Sequence, residues 1–310
     1  MELHQLRVLR ELAERGSVRA AADALYITPS AVSQHLKALQ RSAGIPLVAH
    51  EGRRLVLTDA GCALVQAAVD VEQAMALAHN AIERHAGRVD REVSVVAFPS
   101  AGRLFLPALA ARFTASGGPK VTLADHDVSP ELTATLCGEH DIVIAHRWRL
   151  GSPWPTGRVD VTVLLDEPYD VALPAAHPLA RRRELTPDDL REERWIAGQR
   201  GWAPAGIITA IGAVAQLEPQ VQHRINDLAT AVAMVRTLGG VTLVPRFVGD
   251  YLLGDGVVTR PLAGVEARRE VAAVSRPDRA PAAAVTAVTD ALAEIAGRLR
   301  ADHRWLPPAP

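Results

Sequence analysis

Cysteine, lysine, net charge and long apolar runs are all scarce in this sequence, and each scarcity excludes something. The 310 residues hold two cysteines, Cys62 and Cys137. They lie far apart and without metal-ligand spacing, which argues against a cysteine-built zinc module or a disulfide framework. Only Cys137 falls in the second part of the chain, so a disulfide switch within that part, as a peroxide sensor would use, is not expected. No stretch is long and apolar enough to span a bilayer. The N-terminus reads as an amphipathic helix without the apolar core of a signal peptide. A cytoplasmic protein without a membrane partner is therefore expected. The formal net charge is −1, so global basicity does not advertise a nucleic-acid partner, and local pattern must carry any such case. Lys37 and Lys120 are the only lysines; so strong an arginine bias reflects gene composition rather than function. At 48% hydrophobic and 22% charged residues the chain is globular, and its length suits two or three modules.

The most informative stretch is Ser17 to Ser42. It reads as helix, tight turn and helix. Ser17 caps the first helix, and Ala20, Ala21 and Ala22 permit close packing against it. Tyr26 and Ile27 make the turn. Thr28 is an N-cap with Pro29 at the first helical position, where a missing N–H costs nothing. In the second helix Val32, Leu36 and Leu39 point inward. Ser30, Ser33, Gln34, Lys37 and Arg41 fill the opposite face, and none of them is acidic. A surface that lies against phosphates and base edges needs that composition, whereas a merely solvated face mixes signs.

Leu47 to Thr58 then reads as a short hairpin tipped by Glu51-Gly52-Arg53-Arg54, with Leu55 and Leu57 alternating on the return strand. A hairpin with two arginines beside a helix-turn-helix is a wing, and Arg53 and Arg54 are placed to reach the DNA backbone or minor groove. Residues 1–58 carry eight arginines and lysines against five acidic residues, so basic charge is concentrated where the motif is.

Residues 1–61 resemble the N-terminal domain of the LysR-type transcriptional regulators. The matching pieces are Leu3, Leu6 and Leu9, then Gly16-Ser17, Ala21-Ala22-x-x-Leu25, Ala31-Val32-Ser33, Leu39, Gly44-x-x-Leu47, Arg53-Arg54 and Leu57-Thr58-x-Ala60-Gly61. They occur in order and without gaps. Three positions depart from the family pattern. Val48 stands where Phe is usual, His50 where Arg is usual, and Gln40 where Glu is usual. His50 weakens one expected cationic contact near neutral pH. DNA contacts are expected at Ser17, Thr28, Ser30, Ser33, Gln34, Lys37, Arg53 and Arg54. The resemblance implies as partners double-stranded DNA with inverted half-sites, a small-molecule effector, further copies of the chain up to a tetramer, and RNA polymerase.

Thr58-Asp59-Ala60-Gly61 opens a long helix running to about Ala86. Leu64, Ala68, Val71, Met75, Ala78 and Ile82 repeat at heptad spacing. Such a stripe on a helix of about 40 Å outruns a small domain, so a second subunit is expected to cover it. Gly87 to Asp90 serves as a hinge.

From Glu92 the pattern alternates strand and helix. Strands are expected at Val93–Ala97, Val121–Ala124 and Asp141–Ala145, with helices at Arg103–Thr114 and Pro130–Cys137, giving a parallel, doubly wound sheet. Val159–Leu165 and Tyr169–Pro174 read as two strands crossing into a second lobe. That lobe holds strands at Trp195–Ala197, Val221–Ile225 and Val241–Val244 and helices at about Pro204–Ala215 and Leu228–Leu238. Arg268–Ser275 returns to the first lobe, and Ala280–Arg300 closes it. His177-Pro178-Leu179-Ala180 and Gly240-Val241-x-Leu243-Val244-Pro245 match common stretches of the same family. The expected fold is thus α/β: a winged helix-turn-helix (1–58), a linker and dimerisation helix with hinge (59–90), and a two-lobed effector-binding domain resembling periplasmic binding proteins (91–304). Lobe I covers about 91–162 and 268–300, and lobe II about 163–267. The tail, 305–310, is loose.

Enzyme chemistry finds little support. Ser100, His146 and Asp227 can be assembled as a nucleophile set, but no G-x-S-x-G elbow surrounds Ser100. His126 and Asp127 alone make no zinc site, and no G-x-G-x-x-G follows a strand. Neither a cofactor nor a metal is expected. What remains is a cleft at strand ends and helix N-termini, with Phe98, Ser100, Ala101 and Ser129 on one lobe, His146 and Trp148 after the third strand, and Gln199, Arg200, Trp202 and Asp227 on the other lobe. The helix starting at Ser100 favours an anion. Arg200 offers a fork for a carboxylate, Trp202 a flat wall, and Asp227 a partner for an amine. A small carboxylate with an apolar part is the expected effector. The competing possibility is an α/β binding protein or enzyme whose N-terminal domain serves only dimerisation; the acid-free helix face and the arginine wing speak against it.

Overall fold

The computed structural model describes residues 1–52, 54–85, 91–116, 118–126, 133–149, 151–154, 159–200 and 203–302. Arg53, the hinge at Gly87–Asp90, Ser129, Trp202 and the tail from Trp305 lie outside the described residues.

The N-terminal unit comprises α1 (Leu3–Arg15), α2 (Val18–Leu25), α3 (Pro29–Ala43), β1 (Val48–Glu51) and β2 (Arg54–Leu57). Leu6, Leu9 and Leu12 of α1 close over Ala21 and Ala22 of α2 and Val32, Leu36 and Leu39 of α3. The two alanines have no exposed surface, and their small side chains are what let the helices approach. Ser17 accepts from the Ala20 amide at 3.1 Å and Thr28 from the Ala31 amide at 3.2 Å, as helix caps do. Tyr26 takes the left-handed turn position, φ 54°, where a bulky residue is uncommon.

The linker helix α4 (Asp59–His85) starts against the hairpin. A Cβ at Gly61 would stand 2.1 Å from the Leu47 carbonyl oxygen, so only glycine permits that approach. The first half of α4 then packs on α1, burying Val65 and Ala68 in the N-terminal core. This corrects the expected seam: Ala68 is fully covered by its own chain and Leu64 is half-buried there. Farther along, Val71, Met75, Ala78 and Ile82 are exposed.

The effector domain follows in the order β3 (Val93–Ala97), α5 (Pro99–Ser116), β4 (Val121–Asp125), α6 (Thr133–Glu139), β5 (Ile142–Trp148) and β6 (Asp160–Pro174). It continues with β7 (Arg194–Ala197), α7 (Ala203–Ala215), β8 (Gln220–Arg224), α8 (Leu228–Leu238), β9 (Thr242–Pro245), α9 (Arg246–Leu252), β10 (Val257–Pro261), β11 (Arg268–Ser275) and α10 (Ala283–Asp302). Lobe I orders its strands β4-β3-β5-β11-β6. Only β4, β3 and β5 are parallel; β11 pairs antiparallel with both β5 and β6. The sheet is therefore mixed rather than wholly parallel, because the returning strand enters from the opposite end.

The two crossing strands expected at 159–165 and 169–174 are one strand, β6. Its first half pairs with β11 and its second with β9 and β10. Pro168 sits where the partners change, a place that tolerates a missing donor. Lobe II adds the parallel pair β7–β8, joined to the β9 side by the Trp195–Val241 bridge. α9 and β10 have no counterpart in the sequence-based expectation. Each lobe has its own apolar core, under α5 and α10 in lobe I and around Trp195, Ile208 and Ile211 in lobe II.

Candidate nucleic-acid interface and effector cleft

On α3, Ser30, Gln34, Lys37 and Arg41 are exposed and Ser33 is half-buried. The Ser33 hydroxyl donates to the Pro29 carbonyl at 3.0 Å. Its proton is thus committed to the helix, which leaves Ser33 an acceptor, while Gln34 carries both a donor and an acceptor on this face. The hydroxyls of Ser17 and Thr28 serve as caps, so these residues hold helix ends toward the surface rather than offering free side chains.

The wing closes on the Glu51–Arg54 pair, with Gly52 at φ 61°. Arg54 and His50 are exposed on it. Its root is tied to α3 by Gln40, whose Oε1 accepts from the amides of Leu47 at 2.9 Å and Val48 at 3.2 Å. Gln40 was not foreseen as functional. A glutamate at this position would offer an acceptor of the same kind, so this departure from the family pattern is compatible with the contact.

The cleft between the lobes is organised by a residue the sequence did not single out. Arg269, 3% exposed, lies in β11 beneath the start of α5. It reaches Glu167 through Nε at 2.7 Å and Nη2 at 2.6 Å, donates to the Tyr169 hydroxyl at 3.2 Å, and donates to Ser100 Oγ at 3.2 Å. Its guanidinium carbon stands 5.0 Å from the Phe98 ring centre and 5.4 Å from that of Tyr169, within cation–π range. Burial works against the Arg269 charge, but Glu167 and Tyr169 outweigh it and raise its pKa. Glu167 also accepts from the Phe247 amide at 3.1 Å. No signal in the sequence set Glu167 and Arg269 apart, because Asp166 and Asp170 in β6 and Arg268 and Glu270 in β11 are charged neighbours.

His146 and Trp148 lie in β5 rather than after it, because β11 extends the ladder, pairing Val271 with His146 and Arg269 with Trp148. His146 meets Phe98 edge-on at 4.6 Å. Burial, then the Arg269 charge, push its pKa down to about 3, so the imidazole is neutral at physiological pH. Trp148 leans on Tyr169 at 5.4 Å.

The structure brings Phe98, Ser100, His146 and Trp148 together around Arg269. Phe98 is 4% exposed and Ala101 fully buried, so both support the wall rather than line an open surface. On lobe II, Gln199 and Arg200 are exposed after β7, and the Gln199 amide donates to Asn226 Oδ1 at 2.8 Å. Asp227 caps α8, accepting from the Thr230 amide at 2.8 Å and its hydroxyl at 2.6 Å. Those bonds lower its pKa and engage Oδ1 of the carboxylate that an amine was expected to meet. Between α7 and α8 a small hollow open to solvent is lined mainly by Ile196, Pro204, Ile208, Ile225 and Leu228, with Asn226 among its walls. Among the described residues no group of acids, histidines and cysteines is arranged to hold a metal, and no helix is long and apolar enough to cross a membrane.

Comparison with known proteins agrees with this division. Residues 3–62 match the bacterial regulatory helix-turn-helix proteins of the lysR family, and residues 86–297 match the LysR substrate binding domain. The chain is 28% identical over 276 residues to the Hca operon transcriptional activator HcaR of Escherichia coli K12, covering 85% of this chain and 88% of that one. It is 26% identical over 280 residues to the transcriptional dual regulator OxyR of the same strain, covering 89% and 90%. Among solved structures, a Corynebacterium glutamicum OxyR C206 mutant superposes with a TM-score of 0.58 at 22% identity over 97% of this chain and 95% of that one. CbnR, a LysR family transcriptional regulator, gives 0.52 at 20% identity over 94% and 100%. The chain belongs to the LysR family of DNA-binding transcriptional regulators, with a winged helix-turn-helix followed by a two-lobed effector-binding domain.

Proposed function

We propose that this regulator reads an operator of inverted half-sites with α3 and the Arg53–Arg54 wing, as a dimer joined along the outer half of α4. The observation that carries this is the exposed α3 face, Ser30, Gln34, Lys37 and Arg41, which holds no acid. Gln34 reads base edges, Ser30 and Ser33 assist, and Lys37, Arg41 and Arg54 hold phosphates. Val71, Met75, Ala78 and Ile82 form the dimer seam. Their exposure in a single chain, 44% for Val71 and 69% for Ile82, supports a partner helix there. RNA polymerase is the further partner at the promoter. Function divides at residues 58 and 90, with lobe II between about 163 and 267.

The effector is a small acid with an apolar part. Its carboxylate sits at the N-terminus of α5, where Ser100 and free amides face an anion. Its apolar part faces lobe II, where Gln199 and Arg200 are exposed after β7. A peroxide signal read by a thiol of the second domain is not part of this proposal, because Cys137 is fully buried.

The test is footprinting on DNA upstream of the chain's own gene. Gln34→Ala changes which sites are protected. Lys37→Ala weakens all sites alike and lowers the salt slope by about 1. Unchanged footprints and slope in both variants would place the contacts elsewhere.

A further inference from the structure

The N-terminal domain buries more charge than its own fold requires. Arg10 and Glu11 of α1 and Glu72 of α4 are 2%, 5% and 1% exposed, and Arg276, from the other end of the chain, is 8% exposed. These groups meet in one cluster. Arg276 Nη1 lies 2.8 Å from Glu11 Oε1 and 3.6 Å from Glu14 Oε2. Asp278 Oδ1 accepts from Arg276 Nε at 3.0 Å and from Arg10 Nη1 at 3.4 Å. Glu72 pairs with Arg10 from beneath, and Arg7 reaches Glu72 at 3.2 Å. Arg15 holds the second oxygen of Glu11 at 2.8 Å. Beside the cluster, Arg279 donates to the carbonyls of Gly138 and His140 at 3.1 Å each, tying the same turn to the end of α6.

Charges this deeply buried are tolerated only with their partners in place. The docking of the two domains therefore has one electrostatic register, unlike a loose contact of exposed ion pairs. The turn that supplies Arg276 and Asp278 directly follows β11, and β11 carries Arg269 at its cleft end. The two arginines are seven positions apart, about 23 Å along a strand, and that strand is paired on both sides, with β5 and β6.

We propose that this cluster is an intramolecular latch by which lobe I grips α1 and fixes the orientation of the recognition helix, with β11 joining the grip to the effector cleft. α3 packs on α1 through Leu36 and Leu39, so whatever holds α1 also holds the DNA-reading face. The latch does not depend on which residues read the DNA.

The experiment uses the full-length protein, hydrogen–deuterium exchange and small-angle X-ray scattering. Arg276→Glu sets like charges against Glu11 and Glu14. Exchange in the second half of α1 and in residues 276–282 should rise at least tenfold, and the radius of gyration should increase, while β3 and β5 stay protected. Should that variant not fold, Asp278→Asn provides the same comparison in milder form. Adding the footprinted DNA fragment should change exchange along β11 and at the start of α5 in the wild type, and not in the unlatched variant. A folded variant with wild-type exchange and radius would overturn the latch, and a wild-type β11 that ignores DNA would overturn its connection to the cleft.

Discussion

Arg269 and Ser100 meet at 3.2 Å beneath the cleft, with the guanidinium as donor. A guanidinium cannot accept, so the Ser100 oxygen is the acceptor and its own proton points elsewhere. The hydroxyl at the start of α5 is thereby set as a donor toward a ligand. On the proposed reading, that geometry favours an effector group that accepts hydrogen bonds at Ser100, whereas Arg200 is exposed on the other lobe.

The pairing of the same arginine with Glu167 predicts an asymmetric stability effect. Glu167 has no exposed surface, so Arg269→Ala strands a buried carboxylate. Urea denaturation should show a loss of about 3–5 kcal/mol. Adding Glu167→Gln to that variant should recover part of it. A single variant as stable as the wild type would mean that Glu167 finds another partner.

Gln40 should tolerate one change and not another. Gln40→Glu keeps an acceptor for the Leu47 and Val48 amides and should leave stability within about 0.5 kcal/mol. Gln40→Ala leaves both donors without their acceptor and should cost about 1–3 kcal/mol. Limited proteolysis should then cut the hairpin between β1 and β2 sooner. Equal behaviour of the two variants would remove Gln40 as the anchor of the wing.

Glu14 makes stability pH-dependent. Burial raises its pKa to about 7, with Arg10 opposing and Glu11, Asp278 and Glu72 adding to the rise; Arg276 faces it from lobe I. The folded state thus binds this proton more tightly than the unfolded chain, whose carboxyl titrates near 4.5. Its contribution is fully present below about pH 4.5 and is lost as pH rises through about 7, on the order of 3 kcal/mol in all. Glu72, also raised, acts in the same direction. Denaturation from pH 5 to 8 should show the wild type losing stability relative to Glu14→Gln, and parallel curves would exclude Glu14 as the titrating group.

Cys137 should be inert to oxidants. Burial pushes its thiol up to about 12, and the sulfur lies 3.8 Å from the Val274 carbonyl oxygen as a weak donor. Without thiolate there is no nucleophile for peroxide. Mass spectrometry after millimolar peroxide should find modification at the exposed Cys62 and none at Cys137, and Cys137→Ala should bind DNA as the wild type does before and after treatment. Oxidised Cys137 in folded protein would contradict this.

Local chemistry by itself determined the DNA-reading half of the molecule. Ser17, Thr28 and Pro29 are start signals whose effect is confined to one helical turn, and the spacing of Val32, Leu36 and Leu39 sets which face of α3 turns inward. Those interactions span a few residues, so they are written in order along the chain. The heptad stripe from Leu64 to Ile82 was equally legible, but not what covers it. Periodicity marks an apolar face without naming a partner, and only the passage of α4 beneath α1 assigned Ala68 to its own core. The cleft was legible as a set of strand ends and helix starts, and Ser100 was found that way. Its organiser was not. Arg269 and Glu167 are separated by 102 residues, and Arg276 and Glu11 by 265. No local pattern links such pairs. They exist because antiparallel β11 returns between β5 and β6, carrying one arginine to the cleft and placing another against α1, where burial makes each charge depend on the partner that only tertiary structure supplies.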